Sequence, residues 1–88
     1  MTEMTRAQQT ARVLALLDES FQARARGDRA EFDRLAQEAV RLDVDCVSVI
    51  QGGIVIGEIP NPETDYAGWS DYVATAQEQA EQEGGATA

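Results

Sequence analysis

The sequence predicts a single small α+β domain: an αα-hairpin, then a two-stranded antiparallel β-hairpin, then a C-terminal helix. Three observations predict it. From Val13 to Val40 apolar residues recur at three- and four-residue spacing, interrupted only at Gly27-Asp28. From Val44 to Ile59 the chain turns rich in β-branched residues on either side of Gly52-Gly53. That is the signature of a two-residue hairpin, because primed turns need positive φ and glycine supplies it without strain. Beyond Pro60 and Pro62, the residues Tyr66, Trp69, Val73, Ala76 and Ala80 return to helical spacing.

The first helix has a start signal in Thr5-Arg6-Ala7-Gln8, a capping box with Thr5 as N-cap and Gln8 reaching back to its amide. Val13, Leu14, Leu17, Phe21 and Ala25 form its apolar stripe, which Leu16 widens. Gly27 suits the left-handed position after that helix, and Asp28 with Glu31 opens the next. The second helix runs to about Leu42 and is expected to bury Phe32, Leu35, Ala36, Ala39 and Val40. Arg34, Glu38 and Arg41 lie on its outer face as a self-satisfied charge ladder.

With Gly52-Gly53 as the loop, Gln51 faces Ile54, Ile50 pairs with Val55, and Val49 pairs with Ile56. Paired residues share a face. One face then carries Cys46, Ile50, Val55 and Ile59, and the other carries Val47, Val49, Ile54 and Ile56. The first packs on the helical hairpin. The second needs a cover, supplied by the third helix or by a second subunit. An isolated two-stranded ribbon is marginal in water, and edge-to-edge pairing across a two-fold axis gives four strands. The expected homodimer interface is therefore Val47, Val49, Ile54 and Ile56, with Tyr66, Trp69 and Tyr72 as aromatic anchors. The same three aromatics serve equally as a lid over the hairpin.

Asp65 is read as the N-cap of a third helix that begins at Tyr66, with Gly68 costing about 1 kcal/mol relative to alanine. That helix is expected to end near Glu83. The domain is thus 1–83, with a disordered tail at 84–88.

Charge narrows the function. The 88 residues carry a net charge of −9 and no histidine. Residues 1–42 hold seven acids and all seven arginines, so residues 43–88 hold nine acids and no basic residue. Such a field repels nucleic acid and anionic membrane and attracts a basic protein partner. The order of two helices and an apolar hairpin is similar to a winged helix, but the would-be wing has no basic residue to meet DNA. No stretch reaches the ~20 apolar residues that span a bilayer, and Met-Thr-Glu-Met does not open a signal peptide. The lone thiol fits a reducing compartment, so the expected location is cytoplasmic.

Catalytic equipment is sparse. Ser48, Ser70 and the threonines have no His or Lys to act as base. One cysteine and no histidine exclude a zinc site of the usual ligand set within one chain. Cys46 reads as a small buried hydrophobe. Gly52-Gly53 is too short for a phosphate cradle, and no lysine follows it. Asp43, Asp45, Glu58, Glu63 and Asp65 gather as an acidic surface, read as a solvated edge that discourages strand addition. Holding Ca²⁺ or Mg²⁺ is the competing role, though the pattern lacks the glycine and distal glutamate of an EF-hand loop. No metal and no cofactor is assigned.

The function expected is a non-enzymatic interaction module, a regulator or adaptor that presents an acidic surface to a basic protein and self-associates through its hairpin. The alternatives are a structural subunit of a larger assembly and an enzyme that uses carboxylates or a divalent cation.

Overall fold

Four helices account for nearly all of residues 4–86, the residues described by the computed structural model. They are α1 (Arg6–Ala25), α2 (Arg29–Leu42), α3 (Val44–Ile56) and α4 (Tyr66–Ala86). No strand occurs among the described residues, so the chain is all-α and the expected α+β class does not hold. The segment read as a β-hairpin is helix α3, and the strand pairing across a dimer falls with it.

α1 forms as its capping box dictates. The Gln8 amide donates to Thr5 Oγ1 at 3.1 Å, and the Thr5 amide donates to Gln8 Oε1 at 3.0 Å. Its other end closes at Gly27, whose φ is +83°. There the Asp28 amide reaches the Ala23 carbonyl at 2.9 Å and the Gly27 amide reaches that of Arg24 at 3.0 Å, the two bonds of a Schellman cap. Asp28 then caps α2 by accepting from the Glu31 amide at 3.2 Å. These two helices form the expected helical hairpin.

α1 is the central element, packed on α2 along one side and on α4 along another. Burial on two sides explains why neighbours such as Val13 and Leu14 are both fully buried. Ser20 is buried too, its hydroxyl donating to the Leu17 carbonyl at 2.6 Å. Ala25, placed on the apolar stripe by spacing alone, is exposed. On α2, Leu35 and Ala39 are buried, Phe32 and Ala36 are half-buried, and Val40 faces out.

α3 is helical against its own propensities. Two glycines cost about 1 kcal/mol each relative to alanine, and each β-branched residue up to ~0.7. Burying Val47, Ile50 and the following Ile59 returns about 1.5–3 kcal/mol apiece, a gain of similar size. The ends then decide the outcome. Asp43 is at once the C-cap of α2 and the N-cap of α3, in extended conformation, with its Oδ1 accepting from the Cys46 amide at 3.1 Å. Gly57, at φ +84°, closes α3 with a second Schellman cap. The Glu58 amide reaches the Gly53 carbonyl at 2.8 Å, and the Gly57 amide reaches that of Ile54 at 3.2 Å. Ile59 folds back against Gly53, so the glycine pair is a packing site and not a turn.

Pro60 to Thr64 form a turn that delivers the chain to α4. The Glu63 amide donates to Asn61 Oδ1 at 2.8 Å, and the Asp65 amide to the Asn61 carbonyl at 2.7 Å. α4 starts at Tyr66 and extends through Ala86, beyond the Glu83 at which sequence spacing ends it. Of the tail expected at 84–88, residues 87 and 88 lie outside the described residues. No helix among the described residues is long and apolar enough to cross a membrane.

Candidate functional site

α3 carries apolar residues round most of its circumference, with Asp45, Ser48 and Gln51 as its polar side chains, and only one side is buried. Val47, Ile50 and Gly53 face the core. Val49 is 71% exposed, Ile56 68% and Val55 84%. The uneven exposure follows from helical geometry. Residues three or four apart share a face, so 47, 50 and 54 point inward while 49, 52 and 56 point outward. Gly52 sits in the middle of the outer face, and a Cβ built on it meets no atom within 4 Å.

A groove runs along each flank of this ridge. On the Val55 flank, Phe21, Ile54, Asn61 and Pro62 line a groove of about 380 Å³, with Glu63 at its rim. Glu63 is paired with Arg24 at 2.7 Å. Beyond Phe21 and Pro62, which border both, a larger hollow of about 700 Å³ opens over Ala25 and Tyr66. On the Val49 flank, Cys46, Ile50, Ile59 and Tyr72 line a hollow of about 620 Å³, with Arg6, Asp43 and Asp45 at its edge.

The expected interface residues disperse. Val49, Ile56 and Tyr66 are on the surface, Val47 and Trp69 are in the core, and Ile54 and Tyr72 lie between. Trp69 packs edge-on against Phe21 with ring centroids 5.5 Å apart and stacks on Tyr72 at 6.4 Å. It is wholly buried within its own chain. Val55, the most exposed of the large apolar residues, was placed by hairpin pairing on the inner face. Reading the segment with a 3.6-residue period in place of two would have put it outside.

The acidic surface disperses as well. Asp43 is tied to Gln9, whose Nε2 donates at 2.8 Å, and to the α3 cap. Asp65 caps α4, accepting from the Gly68 amide at 3.1 Å, and Glu63 is paired with Arg24. Asp45 and Glu58 are exposed beside the two ends of α3. No group of three or more His, Cys, Asp or Glu side chains suited to holding a metal ion forms among the described residues.

One polar hub was not singled out by its spacing. Asp18 Oδ1 accepts from Trp69 Nε1 at 3.0 Å and from the Tyr66 hydroxyl at 3.1 Å, while Oδ2 accepts from Gln22 at 3.0 Å. Partial burial and the Asp18 charge push the Tyr66 hydroxyl above its ordinary pKa. The signal in the sequence is an acid four residues before Gln22 on α1, opposite a Tyr and a Trp three apart on α4. Only the packing of the two helices shows that they meet.

Cys46 is shifted toward the neutral thiol. Burial and the Asp43 carboxylate raise its thiol pKa, against a weak contact with the Thr10 hydroxyl at 3.9 Å and the charge of Arg6.

No protein-family model, curated protein or solved structure matches the chain.

Proposed function

We propose that the chain is a small non-catalytic interaction module that docks through the outer face of α3. One observation carries this reading: α3 buries only one side in its own fold and leaves Val44, Val49, Val55 and Ile56 on the surface among Asp45, Ser48 and Gln51. Exposed large apolar side chains grouped on one helix mark an interaction site. Val49, Val55 and Ile56 stand more than two-thirds exposed, with no charged side chain between Cys46 and Gly57. A catalytic role has little to draw on, since Asp43 is engaged as a cap, Glu63 is ion-paired, Asp45 stands alone at the edge of its hollow, and Cys46 is held toward the thiol. A cytoplasmic setting suits the single thiol, which stays reduced there.

The test is a double substitution, Val55→Ser with Ile56→Ser. Exposed side chains outside the core leave stability within about 0.5 kcal/mol, while binding of an apolar fluorescent dye should fall. A loss of about 2–5 kcal/mol, the scale of truncating a core residue, would place these side chains in the core and remove the docking face.

A second reading is favoured by the exposed face of α4. Asp71, Glu78 and Glu81 are exposed there, and the chain has no basic residue after Arg41. That face suits a basic protein partner. Salt separates the two modes: binding to α4 weakens as charge is screened, whereas apolar docking on α3 persists or tightens.

A further inference from the structure

Apart from the docking face of α3, we propose that the hollow at the C-terminal end of α1 binds a small aromatic carboxylate. The ring stands among Phe21, Pro62 and Tyr66, and the carboxylate meets Arg24 and Arg26. Three observations select this ligand.

The hollow exists because the apolar stripe of α1 outruns its cover. Leu17 is buried and Phe21 is half-buried against Trp69, but Ala25, one turn further on, is exposed. α4, which covers the stripe, begins only at Tyr66, beside Gln22. The last turn of α1 and the turn before α4 therefore border about 700 Å³ with a mostly apolar lining. That is the size and character of a small-molecule site.

The hollow is also positive, on a chain of net charge −9. Arg24 and Arg26 line it against one acid, Glu63. The other polar tips are already engaged. The Tyr66 hydroxyl donates to Asp18 at 3.1 Å and accepts from Gln22 at 3.1 Å, and the same Gln22 amide reaches Asp18. Tyr66 is left to offer its ring. Arg26 forms no ion pair among the described residues, and Glu31, the acid within its field, is bonded to Arg34.

Finally, Arg24 already holds a carboxylate. Its guanidinium is paired with Glu63 at 2.7 Å and lies 5.7 Å from the centre of the Phe32 ring. The ring holds the cation in place from a side that the ligand does not need. Both members of the ion pair are more than half exposed, and such a pair contributes little stability. A ligand carboxylate can exchange for Glu63 on a guanidinium that is already positioned.

The experiment is calorimetric titration of the full chain with 2-naphthoate, its neutral amide and octanoate. 2-Naphthoate should bind with a dissociation constant on the order of 0.1–1 mM, and the amide about tenfold more weakly. Octanoate, with the same charge and no ring, should bind more weakly than 2-naphthoate. Arg26→Gln should weaken 2-naphthoate binding about two- to fivefold, and Glu63→Gln should tighten it by about the same factor by removing the rival carboxylate. Val55→Ser with Ile56→Ser should leave it unchanged. Absence of binding up to about 5 mM overturns the site. Equal binding of the amide or of octanoate overturns the ligand class, as does a Glu63→Gln variant that binds no more tightly. Loss of binding in the Val55, Ile56 double variant moves the ligand to the α3 groove and overturns this site, while the stability of that variant judges the docking face separately.

Discussion

Ile59 Cδ1 lies 2.6 Å from where a Cβ on Gly53 would stand, and Cγ1 lies 2.8 Å away. The side chain of Ile59 takes the place of one that Gly53 does not have. Ile59 is only 8% exposed, and Cγ1 stands too close as well as Cδ1, so turning the end methyl alone does not clear an added carbon. This single contact turns a residue unfavourable in a helix into the one that lets α3 close on the core.

Gly53→Ala should therefore destabilise the fold by about 1–3 kcal/mol, because overpacking outweighs the gain in helix propensity. Gly52→Ala, one residue away, should stabilise it by up to about 1 kcal/mol, since nothing stands within 4 Å of the added methyl. Urea denaturation of the two variants reads the contrast. Equal effects in the two would contradict the helical register of α3.

Gly57 gives a separate check on where that helix ends. Its φ of +84° is left-handed, so Gly57→Ala should cost about 1–2 kcal/mol and Gly57→Asn less. A strand residue paired with Ser48 would accept alanine with little change. Thermal midpoints of the two variants decide between these outcomes.

Asp18 is expected to govern both the anchoring of α4 and the titration of Tyr66. Asp18→Ala leaves the indole N–H of fully buried Trp69 without its acceptor, at a cost of about 1–3 kcal/mol. Asp18→Asn keeps an acceptor and should lose less. The raised pKa of Tyr66 means that the folded chain favours the neutral phenol. The stability it contributes is fully present below the unfolded value near 10 and is lost as pH climbs through the folded value. In an ultraviolet titration Tyr66→Phe should remove the late-ionising component, and Asp18→Asn should move it to lower pH. A late component that survives Tyr66→Phe would assign it elsewhere.

The same left-handed glycine cap was recognised at Gly27 and missed at Gly57. At Gly27, Asp28 follows as an obvious helix start. At Gly57, Val, Ile and a Gly-Gly pair offered a hairpin that local chemistry favours about equally. The helical signs were present: Asp43 as a cap, Asp45 in the first turn, and Pro60 soon after Gly57. They lost to β-branched content, which is a weak prior in either direction. The acidic edge misled for a related reason. Asp43 and Asp65 look like loose surface charges until the helices that they cap are known.

Local hydrogen-bonding chemistry is what the sequence by itself determined. Thr5 with Gln8, Gly27 with Asp28, and Asp65 before Tyr66 set three helix starts and one helix end through groups only a few residues apart. The charge imbalance, with every basic residue before residue 42, was likewise written in the chain. The tertiary structure decided the state of 44–56, because there local preferences nearly cancel and burial of Val47, Ile50 and Ile59 tips the balance. It also decided which apolar residues are left outside. Val47 and Val55 are the same residue type, and only the packing of α3 on the rest of the fold makes one core and the other surface.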